Sequence, residues 1–309
     1  MAETFVQTVQ GFELFGLRNE QIELAVLPDL GAKLVSLRNR RSGREWLWTP
    51  PHGAHFRAVP YGAPFTDSSL VGADECLPTI APCTWRGVEL PDHGEVWSVA
   101  WDLDRLAFAH GRIVTRTRLQ RTPFWVERAI ELADNVVSVE YALRNLEATP
   151  HEFMWAFHPL LAPVQGDRLL LPPDCRWVRC DEAINCPLGR RGDLLRWPLP
   201  QEDIVLDRLD LGRTGAAVKL FTEPLTTGFA AVHNDLTGDE LRFEFDTRPI
   251  DTVGIWINQG GWNGYRHLAV EPGIGAPDPL DVAVQEWKRF AVALPGETFR
   301  WRFHIVLNS

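Results

Sequence analysis

Along its whole length the chain alternates apolar and polar residues with a period of two, the pattern of strands that bury one face. Val137, Val139, Tyr141 and Leu143 recur on one side of segment 135–143. Leu241, Phe243 and Phe245 alternate with Arg242 and Glu244, and Trp301, Phe303, Ile305 and Leu307 alternate with Arg300, Arg302 and His304. Segments 113–119 and 125–132 read as neighbouring antiparallel strands joined through Arg121-Thr122-Pro123. Helical spacing is almost absent, and only segment 278–287 offers a short helix, capped by Asp278 or Asp281. The 24 glycines and 23 prolines are spread as turn punctuation. Consecutive strands without intervening helices argue against a parallel α/β sheet, so the expected fold is all-β, a large antiparallel β-sandwich with few short helices.

The 309 residues are expected to form one domain spanning 1–309, since β-sandwiches and barrels routinely exceed 200 residues as a unit and no repeat, linker or low-complexity tract interrupts the chain. Regions 50–92 and 172–201 are loop-rich and long enough to shape a site. A net charge of −10 argues against a nucleic-acid partner, and the densest basic run, Arg38-Asn39-Arg40-Arg41, reads as a solvated turn beside Ser42-Gly43. No leader-like segment and no run of about 18 apolar residues is present, so neither export nor a membrane partner is expected. Cys76, Cys83, Cys175, Cys180 and Cys186 are odd in number and few, which points to free thiols and a cytoplasmic location. Thirteen tryptophans stand against three tyrosines; their flat faces fill wide sandwich cores and also stack on sugar rings.

Several chemistries drop out. There is no Gly-x-Gly-x-x-Gly, no phosphate-binding loop and no Gly-x-Ser-x-Gly elbow. His52 and His55, and the cluster Cys175, Cys180 and Cys186, lack the accompanying Cys-x-x-Cys or His-Glu-x-x-His that a zinc site requires, so no metal is expected. Three segments carry more. Trp155-Ala156-Phe157-His158-Pro159 sets an imidazole in an apolar run, a position more often filled by a satisfied core histidine than by a catalyst. Pro91-Asp92-His93-Gly94 precedes Trp97 and Trp101, and Val270-Glu271-Pro272-Gly273 leads into Pro277-Asp278-Pro279-Leu280.

In this order and at these intervals the three segments resemble the active-site segments of the aldose 1-epimerase (galactose mutarotase-like) family. Segment 25–37, Ala-Val-Leu-Pro-Asp-Leu-Gly-Ala-Lys-Leu-Val-Ser-Leu, looks like the family's opening hairpin, with Gly31 permitting the turn. The likeness runs from about Glu13 to Leu307. It implies a large antiparallel sandwich with a sugar-binding cleft, no cofactor, a monosaccharide substrate, and a monomer or homodimer. Residue by residue, His158 matches the family's general acid, Glu271 its general base and His93 a histidine that holds the sugar. A ring-hydroxyl aspartate falls on Asp207, with Asp203 as the alternative. One departure stands out: many members carry an arginine in a Gly-Arg-x-x-Asn-Arg-like motif ahead of the His-Gly segment. Here Val71-Gly72-Ala73-Asp74-Glu75-Cys76-Leu77-Pro78-Thr79 takes its place, where Asp74 and Glu75 are expected either to meet hydroxyls or to lie in a solvated acidic loop.

The chemistry explains these residue types. Exchanging anomers without a cofactor requires opening and reclosing a hemiacetal, with one group taking the C1 hydroxyl proton while another protonates the ring oxygen. A carboxylate, ordinarily titrating near 4.3, and an imidazole near 6.5 suit these parts. Trp262, in Gln259-Gly260-Gly261-Trp262-Asn263-Gly264, is a candidate stacking platform or a core residue. Three other readings remain at this level: a hexose 6-phosphate 1-epimerase with Arg57 or Arg86 clamping phosphate, a non-catalytic carbohydrate-binding sandwich, and a lyase or glycosidase, the last needing a second opposed carboxylate.

Overall fold

The alternating segments pair as strands in the computed structural model, which describes residues 2–309. An eleven-stranded sheet runs in spatial order Glu3–Val9, Phe12–Arg18, Ile22–Leu27, Lys33–Asn39, Ala73–Cys76, Trp155–Leu161, Arg266–Ile274, Thr252–Gln259, Ala216–Thr222, Trp177–Ile184 and Leu194–Arg196. An eight-stranded sheet runs Asp167–Leu170, Phe229–Asn234, Glu240–Phe245, Thr298–Asn308, Val136–Asn145, Phe124–Ala133, Arg112–Arg118 and Asp102–Leu103. Neighbouring strands are antiparallel throughout, including the expected pair on either side of Arg121-Thr122-Pro123. No helix is long and apolar enough to cross a membrane among the described residues.

One face of each sheet closes on the other. Val137, Val139, Tyr141 and Leu143, together with Trp301, Phe303, Ile305 and Leu307, are buried there, as their spacing predicts. Aromatic rings interlock across the layer, Phe157 lying 5.1 Å from Phe303 and Trp155 5.4 Å from Trp301, while within the eight-stranded sheet Tyr141 stacks on its cross-strand neighbour Trp301 at 4.9 Å. Core filling therefore accounts for several of the tryptophans. The hairpin of segment 25–37 forms between Ile22–Leu27 and Lys33–Asn39, and Gly31 turns with φ of +69°. A Cβ at Gly31 would stand 2.2 Å from the Trp97 carbonyl oxygen, so this glycine serves both the turn and a close backbone approach.

Two expectations are corrected. Segment 278–287 holds only the α-helical turn Leu280–Val282 followed by the π-helical Ala283–Trp287. Asp278 does not cap it: Thr79 Oγ1 accepts the Leu280 N–H at 3.1 Å, which leaves the Asp278 side chain free for other partners. Region 172–201 is more than a loop, since Trp177–Ile184 and Leu194–Arg196 form the far edge of the large sheet. A short helix that the alternation did not announce, Arg105–Ala109, is capped by Asp104 through the Ala107 N–H.

Glu75 belongs to the inter-sheet layer. Successive residues of a strand point to opposite faces, so Asp74 and Glu75 diverge. Glu75 Oε1 accepts from Arg128 Nη1 at 2.8 Å and from the Tyr141 hydroxyl at 2.7 Å, and Oε2 accepts from Trp155 Nε1 at 2.8 Å. Burial pushes this carboxyl above its usual range, opposed by Arg128 and the other donors. Removing one partner of such a pair leaves an uncompensated buried charge. Arg128→Met is thus expected to lower the unfolding free energy by about 3–5 kcal/mol, and adding Glu75→Gln to recover much of it. Urea denaturation of the single and double variants checks this, and equal losses in both would contradict it.

Candidate active site

The opposite face of the large sheet carries a row of polar side chains through its middle. Antiparallel register sets Asp74 opposite His158, and the pairs Ala156 with Gly273 and Leu160 with Ala269 set His158 level with Glu271. Glu271 in turn faces Gly254, and one step along, Lys219 faces Trp256. Gly254 makes the row possible: a Cβ there would stand 2.8 Å from Glu271 Oε2, in the space through which the carboxylate leans toward Lys219. Lys219 Nζ donates to Glu271 Oε1 at 2.7 Å and Oε2 at 2.6 Å. It also lies 3.5 Å from Asp278 Oδ1, and His158 Nε2 lies 3.5 Å from Glu271 Oε1. Further along the row, Lys33 Nζ pairs with Asp74 Oδ2 at 2.5 Å, both buried.

Loops build a pocket of about 230 Å³ over this row. His93 stacks on Phe65 with ring centroids 3.8 Å apart and meets His158 edge-on at 5.0 Å. Its Nδ1 lies 2.8 Å from Asp92 Oδ1, which aims the other ring nitrogen away from that carboxylate. Gly94 allows this close turn, because a Cβ on it would stand 2.3 Å from the Leu77 carbonyl oxygen. Trp262 is held by Asn258, whose side chain accepts the Trp262 N–H and donates to its carbonyl. Trp256 Nε1 donates to His267 Nε2 at 3.0 Å, so the His267 proton, when the ring is neutral, is on Nδ1. Asp278 enters from the loop after the Glu271 strand, its backbone carbonyl accepting from Ile80 and Ala81. Glu271, only 1% exposed, forms the floor, whereas His158 and Lys219 line the pocket itself.

Burial sets the charges. It holds His158 well below the ordinary histidine range, helped by the positive fields of His93, Lys219, His267 and Lys33. His267 is pushed down to about 4 by burial alone. Lys219 behaves oppositely: burial would lower it, but Asp278 and Glu271 outweigh that and keep it above the usual lysine range. Asp278 is raised by burial against the pull of Lys219, and Asp181 nearby is pushed up to about 6 by burial and the Asp278 charge. Lys219 thus stands between two acids, Asp278 and Glu271, and the row ends at an imidazole that is neutral near pH 7. Among the described residues no group of three or more His, Cys, Asp or Glu side chains is placed to hold a metal ion.

Of the residues singled out in the sequence, His158, Glu271, His93 and Trp262 come together here. Glu75 does not, because it faces the inter-sheet core, and its neighbour Asp74, on the pocket side, is taken by Lys33. Asp207 lies in the short turn Leu206–Arg208 and accepts from Arg168 Nη2 at 3.1 Å, next to the eight-stranded sheet; Asp203 is exposed, and neither lines the pocket. Arg57 bonds the Asp67 carbonyl and Arg86 bonds Glu152, both away from the pocket. Sequence reasoning missed Lys219, Asp278, Phe65 and His267. For Lys219 a signal exists: it is the lone charge in the otherwise apolar Ala216–Thr222 strand, where a buried lysine demands a partner.

No family model matches the chain, and no curated protein matches it. Solved structures do. A galactose mutarotase-like protein from Clostridium acetobutylicum superposes with a TM-score of 0.71 at 12% identity, over 100% of this chain and 99% of that one. A galactose mutarotase-like protein from Lactobacillus casei gives 0.68 at 17% identity, over 96% and 100%. A galactose mutarotase related enzyme from Lactobacillus acidophilus gives 0.64 at 16% identity, over 100% and 98%. At such identities the likeness is one of fold, and with two large antiparallel sheets matched over nearly their whole length, the chain has the galactose mutarotase-like fold.

Proposed function

We propose that the protein interconverts the α and β anomers of a free aldose by acid/base ring opening and closure, an aldose 1-epimerase activity. The observation that carries this reading is the side-by-side pairing of His158 and Glu271, 3.5 Å apart at the pocket floor. In a hemiacetal the hydroxyl oxygen and the ring oxygen share one carbon, so the group that removes one proton and the group that delivers the other must both reach atoms bonded to that carbon. Glu271 takes the C1 hydroxyl proton and His158 supplies one to the ring oxygen; on closure the two exchange roles. His158 delivers that proton from its imidazolium form and recovers it when the ring closes. His93 serves the ring hydroxyls and Trp262 presents a flat apolar face for stacking. The pocket volume of about 230 Å³ suits a single sugar ring.

The competing readings fit less well. A phosphate clamp wants free arginines, yet the lysine at this pocket is shared by two carboxylates, and Asp92, Glu182 and Asp278 on the walls repel an anion. Glycosidases flank the scissile bond with two carboxyl groups about 5–5.5 or 6.5–9.5 Å apart, whereas Glu271 is bracketed by an imidazole and an ammonium. A binding surface without chemistry has no use for a matched proton donor and acceptor.

Polarimetry of freshly dissolved aldoses is the direct test, and no acceleration of mutarotation by the purified protein across a panel of free sugars would overturn the reading. Glu271→Gln and His158→Asn are each expected to lower kcat/KM by about 100-fold or more while circular dichroism stays unchanged. The pH profile supplies a second check. Because His158 is held below its ordinary range, the imidazolium that donates the proton is depleted as pH rises through that lowered value. kcat/KM should therefore already be falling with rising pH across about pH 6–8, and a descending limb centred near 6.5 or above would contradict a lowered His158.

A further inference from the structure

Lys219 is the feature of the pocket that the resemblance does not account for. Only three of the 31 Lys and Arg residues are lysines, and two of them, Lys33 and Lys219, are buried in the polar row. We propose that Lys219 is a positioning residue: by gripping both carboxylate oxygens of Glu271 it keeps that buried base ionised and holds it against His158. The inference rests on the acid/base reading of the pocket.

Glu271 cannot stay charged at 1% exposure without a cation, because burial favours the protonated acid. The groups around it leave one candidate. On its own strand Gly273 and Ala269 flank it and His267 lies beyond, held neutral by burial. The strand Trp155–Leu161 contributes His158, also held neutral, and Thr252–Gln259 contributes Gly254. From Ala73–Cys76 come Asp74, already paired with Lys33, and the buried thiol Cys76. The loops add His93, directed to Asp92, and Asp278, a like charge. Lys219, from Ala216–Thr222, alone donates to Glu271, at 2.6 and 2.7 Å. An ammonium is compact enough to sit between Glu271 and Asp278, and its position at the pocket wall puts it where the sugar arrives.

The test follows the Glu271 carboxyl by carbon-13 NMR in glutamate-labelled protein, assigned by its disappearance in Glu271→Gln, alongside the pH profile of kcat/KM. In Lys219→Met the carboxyl is expected to take up its proton about one pH unit or more higher than in the wild type. Relative to the wild type at the same pH, kcat/KM falls below the raised midpoint and returns above it. Lys219→Arg, which keeps the charge, restores the wild-type titration. An unmoved titration in Lys219→Met overturns the proposal, as does a moved titration with an unmoved rate profile. Should Lys219→Met fail to fold, Asp278→Asn decides: giving Lys219 to Glu271 alone lowers the Glu271 midpoint, and an unchanged or raised midpoint overturns the proposal. A wild type that exchanges no anomers removes the function proposed above, and the carboxyl titration still decides the role of Lys219.

Discussion

Strand pleating divides every side chain of the large sheet between two environments, and the site exists because of that division. Asp74 and Glu75 are consecutive acids on one short strand. One faces the polar row and meets Lys33; the other faces the second sheet and is enclosed by Arg128, Tyr141 and Trp155. Phe157 and His158 divide the same way, the ring packing on Phe303 while the imidazole reaches the pocket. A shift of one residue in register would exchange these sets and place charge in the aromatic core. The interlocking of Phe157, Trp155, Phe243, Phe303 and Trp301 therefore also fixes which side chains the opposite face presents.

That face carries more charge than its exposure would ordinarily permit. Lys33, Asp74, Lys219 and Glu271 are each at most 5% exposed, and they persist because each acid is paired with a lysine, Asp74 with Lys33 and Glu271 with Lys219. The histidines respond in the opposite sense, staying neutral because burial and the nearby cations both disfavour a further positive charge. The pocket thus holds a carboxyl group gripped by a lysine beside an uncharged imidazole. Gly254, by having no side chain, is what lets the two strands share their charges diagonally.

Much of this was legible beforehand. Alternation identified five strands of the eight-stranded sheet because a half-buried strand must repeat every two residues, whereas central strands of the large sheet such as Trp155–Leu161 and Ala216–Thr222 are buried on both faces and do not alternate. The His-Gly, His-Pro and Glu-Pro segments led to His93, His158 and Glu271 through their resemblance to a known family. Asp207 and Glu75 were misjudged for a common reason. Each was an acid in a segment with few anchors, and neither the face of its strand nor the identity of its partner, Arg168 or Arg128, can be read from neighbours in the chain. Asp278 was taken for a helix cap because the cap motif is local, whereas Thr79, which meets the Leu280 N–H, is 201 residues away.

By itself the sequence determined the fold class and several of its strands, since these follow from short-range periodicity, and through the resemblance of three local segments it pointed to His93, His158 and Glu271. Tertiary structure decided which acids face the pocket, that His158 and Glu271 stand side by side instead of on opposite sides of a sugar ring, and that Lys219 is bound to Glu271 across 52 positions of chain. The reason is physical: charge state and partnership depend on distance and burial, and those are properties of strands brought together from far apart in the chain.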